Sequence, residues 1–196
     1  MNPRIHVCLV SAQATPNLTP ALDPLVAPRR VILLVSPDMA ERAGWLEEVL
    51  GARGIVVRQW SIDDAWDVEH VQTRVLELLE TERDALAASA IALNATGGTK
   101  PMSIAAYEAF RAYNLPIFYV HPERDRLIWM NPGGREALDL ANRLGLAPFL
   151  QAHGARMLRG TLGGIPDHLV ALSDWLVKNV RTHGESLGRL NYLASQ

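Results

Sequence analysis

The sequence predicts an α/β fold, a doubly wound and mainly parallel sheet with helices on both faces. Short runs of apolar, largely β-branched residues recur from Ile5 to Val120. Stretches with helical periodicity separate them. The runs are apolar almost throughout rather than alternating, as strands covered on both faces must be.

Taken in order, Ile5-His6-Val7-Cys8-Leu9-Val10 reads as strand one, with a polar loop at its end that carries Ser11-Ala12-Gln13 and Asn17. Val31-Ile32-Leu33-Leu34-Val35 is strand two. Met39, Ala43, Leu46 and Leu50 then recur at helical spacing, in a helix that stops near Gly51 or Gly54. Ile55-Val56-Val57 opens strand three, and Val68, Val71, Val75, Leu78 and Leu79 mark the next helix. Ala90 to Leu93 is strand four, residues 102 to 113 are a helix, and Pro116-Ile117-Phe118-Tyr119-Val120 is strand five. Arg124 to Trp129 reads as a hairpin arm or edge strand that ends in a loop at Gly133-Gly134. After a glycine-rich break from Gly160 to Gly164, Leu169, Leu172, Leu176 and Val180 form a last helical stripe. The expected division is a Rossmann-like domain over residues 1–160 and a helical appendage or linker over residues 161–196.

The 196 residues suit one such domain with a small appendage. With 19 basic against 21 acidic residues, the net charge of −2 gives no bulk attraction for long nucleic acid, so any anion site must be local. Cys8 is the single cysteine and falls within a strand, as expected of a buried thiol in a reducing compartment. The opening Met1-Asn2-Pro3-Arg4-Ile5-His6 lacks the apolar core of a signal peptide, and no run reaches membrane-spanning length. A cytoplasmic location is expected.

The chemistry concentrates in Asn94-Ala95-Thr96-Gly97-Gly98-Thr99-Lys100-Pro101-Met102, where strand four hands over to a helix. A strand–Gly-Gly–helix junction leaves backbone N–H groups unpaired, and the helix N-terminus adds partial positive charge. Lys100 adds a full charge, and Thr96 and Thr99 add hydroxyls. Such a seat suits phosphate. It is neither a GxxxxGK[ST] loop nor a GxGxxG fingerprint. A plain tight turn, with Thr99 as N-cap and Pro101 in the first helical turn, accounts for the same spacing.

With strands ordered 3-2-1-4-5, strands one and four meet at the switch point, where such sheets bind ligands. Ser11, Gln13 and Asn17 would then face Thr96 to Lys100 across one crevice. Elsewhere the signals are weaker. The six histidines are scattered and form no HxxxH or HExxH, so no metal site is expected. Glu47-Glu48 reads as a solvated helix face, Asp63-Asp64 as loop or capping residues. Trp129 suits base stacking or packing.

The stretch Asn94-x-Thr96-Gly97-Gly98-Thr99-Lys100-x-Met102 resembles the signature of CARF domains, the CRISPR-associated Rossmann-fold sensors of cyclic oligoadenylates. Leu9-Val10-Ser11-x-Gln13-x-x-Pro16-Asn17-Leu18 resembles the first-strand loop of the branch that carries a restriction-endonuclease-like domain after the sensor. Pro148-Phe149-Leu150-x-x-His153-Gly154 adds a weaker match. The resemblance implies a homodimer that binds a cyclic oligoadenylate in type III CRISPR antiviral defence. Cyclic tetra-adenylate is favoured because an even ring can match a two-fold axis. It further implies that Lys100 and the backbone of Gly97, Gly98 and Thr99 hold phosphate or ribose. Ser11, Gln13 and Asn17 would read sugar or adenine edges, and Thr96 and Met102 would line the floor.

No cofactor is implied, only the ring as ligand. Some relatives cleave the ring without metal through attack by a ribose 2′-hydroxyl, for which Lys100, Ser11 and Thr99 are the candidate catalytic groups. The resemblance leaves open a stand-alone sensor or the N-terminal part of a longer effector. The competing reading is a Rossmann-like enzyme acting on a mononucleotide or sugar phosphate. A DNA-reading C-terminal helix is disfavoured by the few basic residues between 165 and 180.

Overall fold

The computed structural model describes residues 3–87, 90–121, 123–131, 135–141, 143–155 and 167–179. The chain divides into two compact units, Met1–Arg156 and Met157–Gln196. In the first, a seven-stranded sheet is built from β1 (Ile5–Leu9), β2 (Arg30–Val35), β3 (Val56–Ser61), β4 (Ile91–Asn94), β5 (Ile117–His121), β6 (Arg126–Trp129) and β7 (Leu138–Asp139). The order is β3-β2-β1-β4-β5-β6-β7. From β3 to β5 all neighbours are parallel, while β6 and β7 add antiparallel arms. The doubly wound class read from the sequence is observed, and the sheet has the 3-2-1-4-5 order assumed for such a class.

The helices are α1 (Thr15–Leu22), α2 (Ala40–Gly51), α3 (Val68–Thr81), α4 (Arg83–Ala87), α5 (Lys100–Ala112) and α6 (Leu146–Gln151). Strand periodicity sorts β1 between two cores. Ile5, Val7 and Leu9 join α3 and α5 residues such as Val75, Leu78 and Phe110 on one face of the sheet. Cys8 and Val10 join Leu18 of α1 and Leu46 and Leu50 of α2 on the other. Each fully buried leucine or phenylalanine contributes about 1.5–3 kcal/mol, so this layering fixes which loops meet at the C-terminal ends of the strands.

Two differences from the sequence reading bear on the site. The segment after β1 is not wholly loop, because α1 starts at Thr15 and contains Asn17. Pro16 suits a first helical turn, but Pro20 lies inside the helix and hides its periodicity. The arm at residues 126–129 is internal to the sheet, with β7 beyond it. Trp129 packs edge-to-face on Phe118, ring centroids 5.7 Å apart, and the Arg135 guanidinium lies over its ring, 4.6 Å from the centroid. Gly133-Gly134, the break at Gly160 to Gly164 and Val180 lie outside the described residues.

In the second unit the described element is α7 (Asp167–Asn179), which carries Leu169 and Leu172 of the expected stripe. Among the described residues, no helix is long and apolar enough to cross a membrane.

Candidate functional site

β1 and β4 run side by side, with Cys8 opposite Asn94, so their outgoing loops start together. Asn94 is fully buried and binds both loops. Its Nδ2 donates to Pro16 O at 2.9 Å and Asn17 Oδ1 at 3.1 Å. Its Oδ1 accepts from Thr96 N at 3.2 Å and Thr96 Oγ1 at 2.6 Å. Pro16 O is open to Asn94 because its normal helical donor would be the N–H of residue 20, and Pro20 has none.

The loop after β4 is shaped by its contacts with β1. A Cβ on Gly97 would stand 2.2 Å from Leu9 O, so only glycine lets the loop lie on the end of β1. Gly98 has φ +74°, the left-handed region that glycine enters without strain. Thr99 then caps α5, its Oγ1 accepting from Met102 N at 3.2 Å and donating to Ala65 O at 2.6 Å. The N–H groups of Gly98 and Thr99 have no acceptor among the described residues.

These elements border a cleft of about 280 Å³ at the switch point. It brings together Ser11, Gly98, Thr99 and Met102 of the expected set, with Met102 buried as its floor. Ser36, Asp38 and Met39, from the segment after β2, form a wall that sequence reasoning missed. The signal was available, because β2 neighbours β1 and its C-terminal end must border the same crevice. Ser36 Oγ donates to Asp38 Oδ1 at 2.7 Å.

The other expected residues stand differently. Gln13 is exposed, and Lys100 is exposed as the first residue of α5; neither lines the cleft. Gly97 lies beneath the loop, against β1. Asn17 is buried, its Nδ2 donating to Leu9 O at 3.0 Å while its Oδ1 faces Asn94. Thr96 accepts from Val120 N at 2.8 Å as well as donating to Asn94, which ties the loop to β5. Of the candidate catalytic hydroxyls, that of Thr99 is engaged as both donor and acceptor, whereas Ser11 Oγ makes a 3.3 Å contact with Gln13 O. The site therefore offers an anion two backbone N–H groups, a helix N-terminus and a nearby lysine, beside a mostly apolar cleft.

Two buried groups lie along β1 below the cleft. Burial pushes the Cys8 thiol up to about 12, with an opposing hydrogen bond to Asn94. Burial also holds His6 down at about 3; neither of its ring nitrogens has a partner among the described residues.

A family model described as the Card1 CARF domain matches residues 5–148. The chain belongs to the CARF family. Among solved structures, protein VC1899 from Vibrio cholerae resembles this CARF domain with a TM-score of 0.75 at 29% identity, over 97% of this chain and 50% of that one. Can2 from Sulfobacillus thermosulfidooxidans, solved in complex with cyclic tetra-adenylate, gives a TM-score of 0.68 at 28% identity, over 98% of this chain and 51% of that one. A type III CRISPR defence DNA nuclease activated by cyclic oligoadenylate shares the fold, with a TM-score of 0.69 at 23% identity over 91% of this chain and 28% of that one. The CARF domain described here thus spans about half the length of VC1899 and Can2. No curated protein matches the chain.

Proposed function

We propose that this chain senses a cyclic oligoadenylate, cyclic tetra-adenylate foremost, in a cleft shared by two copies of itself, as part of type III CRISPR antiviral defence in the cytoplasm. The observation that carries the reading is the pair of N–H groups, of Gly98 and Thr99, that have no acceptor among the described residues and lie on the cleft at the start of α5. They suit a phosphodiester, and Lys100 next to them supplies the charge that strengthens such contacts. Likeness to Can2, solved with this ring, supports the ligand class.

The size of the cleft supports the dimer. At about 280 Å³ it lies at the small end of ligand pockets and suits a single nucleotide rather than a whole ring. A two-fold pair of clefts offers a four-nucleotide ring matching contacts on both sides. Asn17, Asn94 and Thr96 position the loops in this reading, and Ser11, Gln13, Gly98, Thr99, Lys100 and Met102 meet the ligand. Thr99 has both hydroxyl roles filled, which leaves Ser11 and Lys100 for any ring cleavage.

The test is thermal shift and light scattering with cyclic tri-, tetra- and hexa-adenylate beside linear tetra-adenylate. Cyclic tetra-adenylate at a hundred times its Kd adds about 2.7 kcal/mol to the folded state; the linear form, with more freedom to lose, adds much less. A species that stays monomeric with and without ring overturns the shared cleft. A shift with a mononucleotide but with no ring overturns the sensor and favours the small-ligand enzyme. Chromatography of the bound ring after hours in EDTA separates a pure sensor, which returns it intact, from a metal-independent ring nuclease, which yields linear products ending in 2′,3′-cyclic phosphate.

A further inference from the structure

A second cavity, of about 110 Å³, adjoins the loop after β1 and shares Ser11 and Ala12 with the cleft. Arg42 from the first turn of α2 and His153 just beyond α6 both line it. Arg42 is half-buried, and among the described residues it has no carboxylate partner; its guanidinium lies 3.8 Å from Met39 Sδ. His153 is held in place rather than free. Its Nδ1 lies 2.8 Å from Phe149 O, and its ring packs on that of Phe149 with centroids 4.5 Å apart.

The wall itself is built into the fold. A Cβ on Gly154 would stand 2.4 Å from the Trp45 ring, so glycine is what lets the end of α6 sit on α2. Gln151 Nε2 donates to Glu48 Oε2 at 3.2 Å across the same contact. The 148–154 match, which the nucleotide cleft does not use, thereby acquires a place: it brings an imidazole next to Arg42 and Ser11.

We propose that this cavity is a second anion subsite, in which Arg42, His153 and Ser11 hold a phosphodiester adjoining the nucleotide seated in the cleft. The proposal rests on the sensor reading above. A guanidinium with no carboxylate opposite it suits a phosphate oxygen pair. A carbonyl can only accept, so Nδ1 of His153 carries the hydrogen, and Nε2 donates to an anion only when the ring is charged. The acidic groups on the surrounding elements are Glu41, Glu47 and Glu48 of α2, the last two engaged by Gln59 and Gln151, and Asp38, engaged by Ser36.

The experiment is calorimetric titration of cyclic tetra-adenylate, and separately of inorganic phosphate, into the full chain and its Arg42→Ala, Arg42→Lys, His153→Gln and Lys100→Ala variants, each checked by melting temperature. Arg42→Ala is expected to weaken the ring about tenfold and to lower the salt dependence by about one phosphate contact. Arg42→Lys retains part of the affinity. His153→Gln is expected to weaken the ring as well, because the contact of its imidazole with the anion is lost. If Arg42→Ala does not fold, Arg42→Lys and His153→Gln carry the test. Ring binding as tight as wild type in the Arg42 and His153 variants, with Lys100→Ala weakened, overturns this subsite and leaves the sensor standing. Inorganic phosphate bound through Arg42 with no effect of Arg42 on the ring also overturns it. Absence of ring binding by wild type overturns the sensor itself.

Discussion

Asn94 Nδ2 stands 3.1 Å from Asn17 Oδ1, joining the end of β4 to the first turn of α1 across 77 positions of sequence. Both side chains are buried, and each also holds a backbone carbonyl, Asn94 that of Pro16 and Asn17 that of Leu9. The pair forms a polar bolt beneath the cleft. Asn94→Ala strips Pro16 O and Thr96 of their partners and should cost about 2–4 kcal/mol in urea denaturation. In a double-mutant cycle with Asn17→Ala, a coupling of about 1 kcal/mol or more is expected. Additivity would mean that the two loops are held independently.

Gly97→Ala should be costly without touching any ligand. The new Cβ collides with Leu9 O, and backbone cannot yield as a flexible side chain can. A loss of about 1–3 kcal/mol is expected, together with weaker ring binding as the two loops are forced apart. An alanine variant with wild-type melting and affinity would show that the loop does not lie on β1.

Lys100→Ala separates seat from scaffold. The side chain is exposed at the start of α5, so its removal should leave the melting temperature within about a degree or two of wild type. A charge-assisted phosphate contact contributes about 1.5–3 kcal/mol, so affinity for cyclic tetra-adenylate should fall at least about tenfold. Unchanged affinity would reduce the Thr99–Lys100–Pro101 segment to a helix cap.

His6 predicts an acid limb in the stability curve. Its folded value of about 3 lies below its ordinary 6.5 because the charged ring is buried against Phe118, with neither nitrogen partnered among the described residues. The unfolded chain therefore binds the proton first. This contribution is intact above pH 6.5 and is lost as pH falls toward 3. Between about pH 7.5 and about pH 4.5, His6→Phe should lose about 2–3 kcal/mol less than wild type in urea denaturation. Parallel losses would mean that His6 finds a partner for its proton.

Cys8 should resist an aromatic disulfide reagent in the native state and react at the rate of unfolding. Its thiol is fully buried and held near 12, so almost no thiolate is available. Rapid labelling of folded protein would contradict this packing of β1.

The sequence by itself determined the sheet and the place of the cleft. Apolar runs such as Val31 to Val35 and Ile91 to Leu93 can be stable only when covered on both faces, and helices between them enforce parallel order. That order places the ends of β1 and β4 together, so the convergence of Ser11 with Gly98 and Thr99 was legible from spacing. The helix cap at Thr99 was legible as well, because capping is local.

Only the tertiary structure decided which polar groups remain for a ligand. Thr96 and Thr99 read as hydroxyls open to a ligand, Thr99 beside its part as a cap, yet their distant partners, Val120 N and Ala65 O, lie 24 and 34 positions away. The same holds for Gly97, whose need for glycine comes from Leu9, and for Asn17, whose helix is masked by Pro20. His153 reaches the neighbourhood of Ser11 only through the seat of Gly154 on Trp45. Periodicity follows from which faces of a segment are buried and is written locally. The engagement of a hydrogen-bonding group depends on whatever the fold brings opposite it, and no local pattern of residues encodes that.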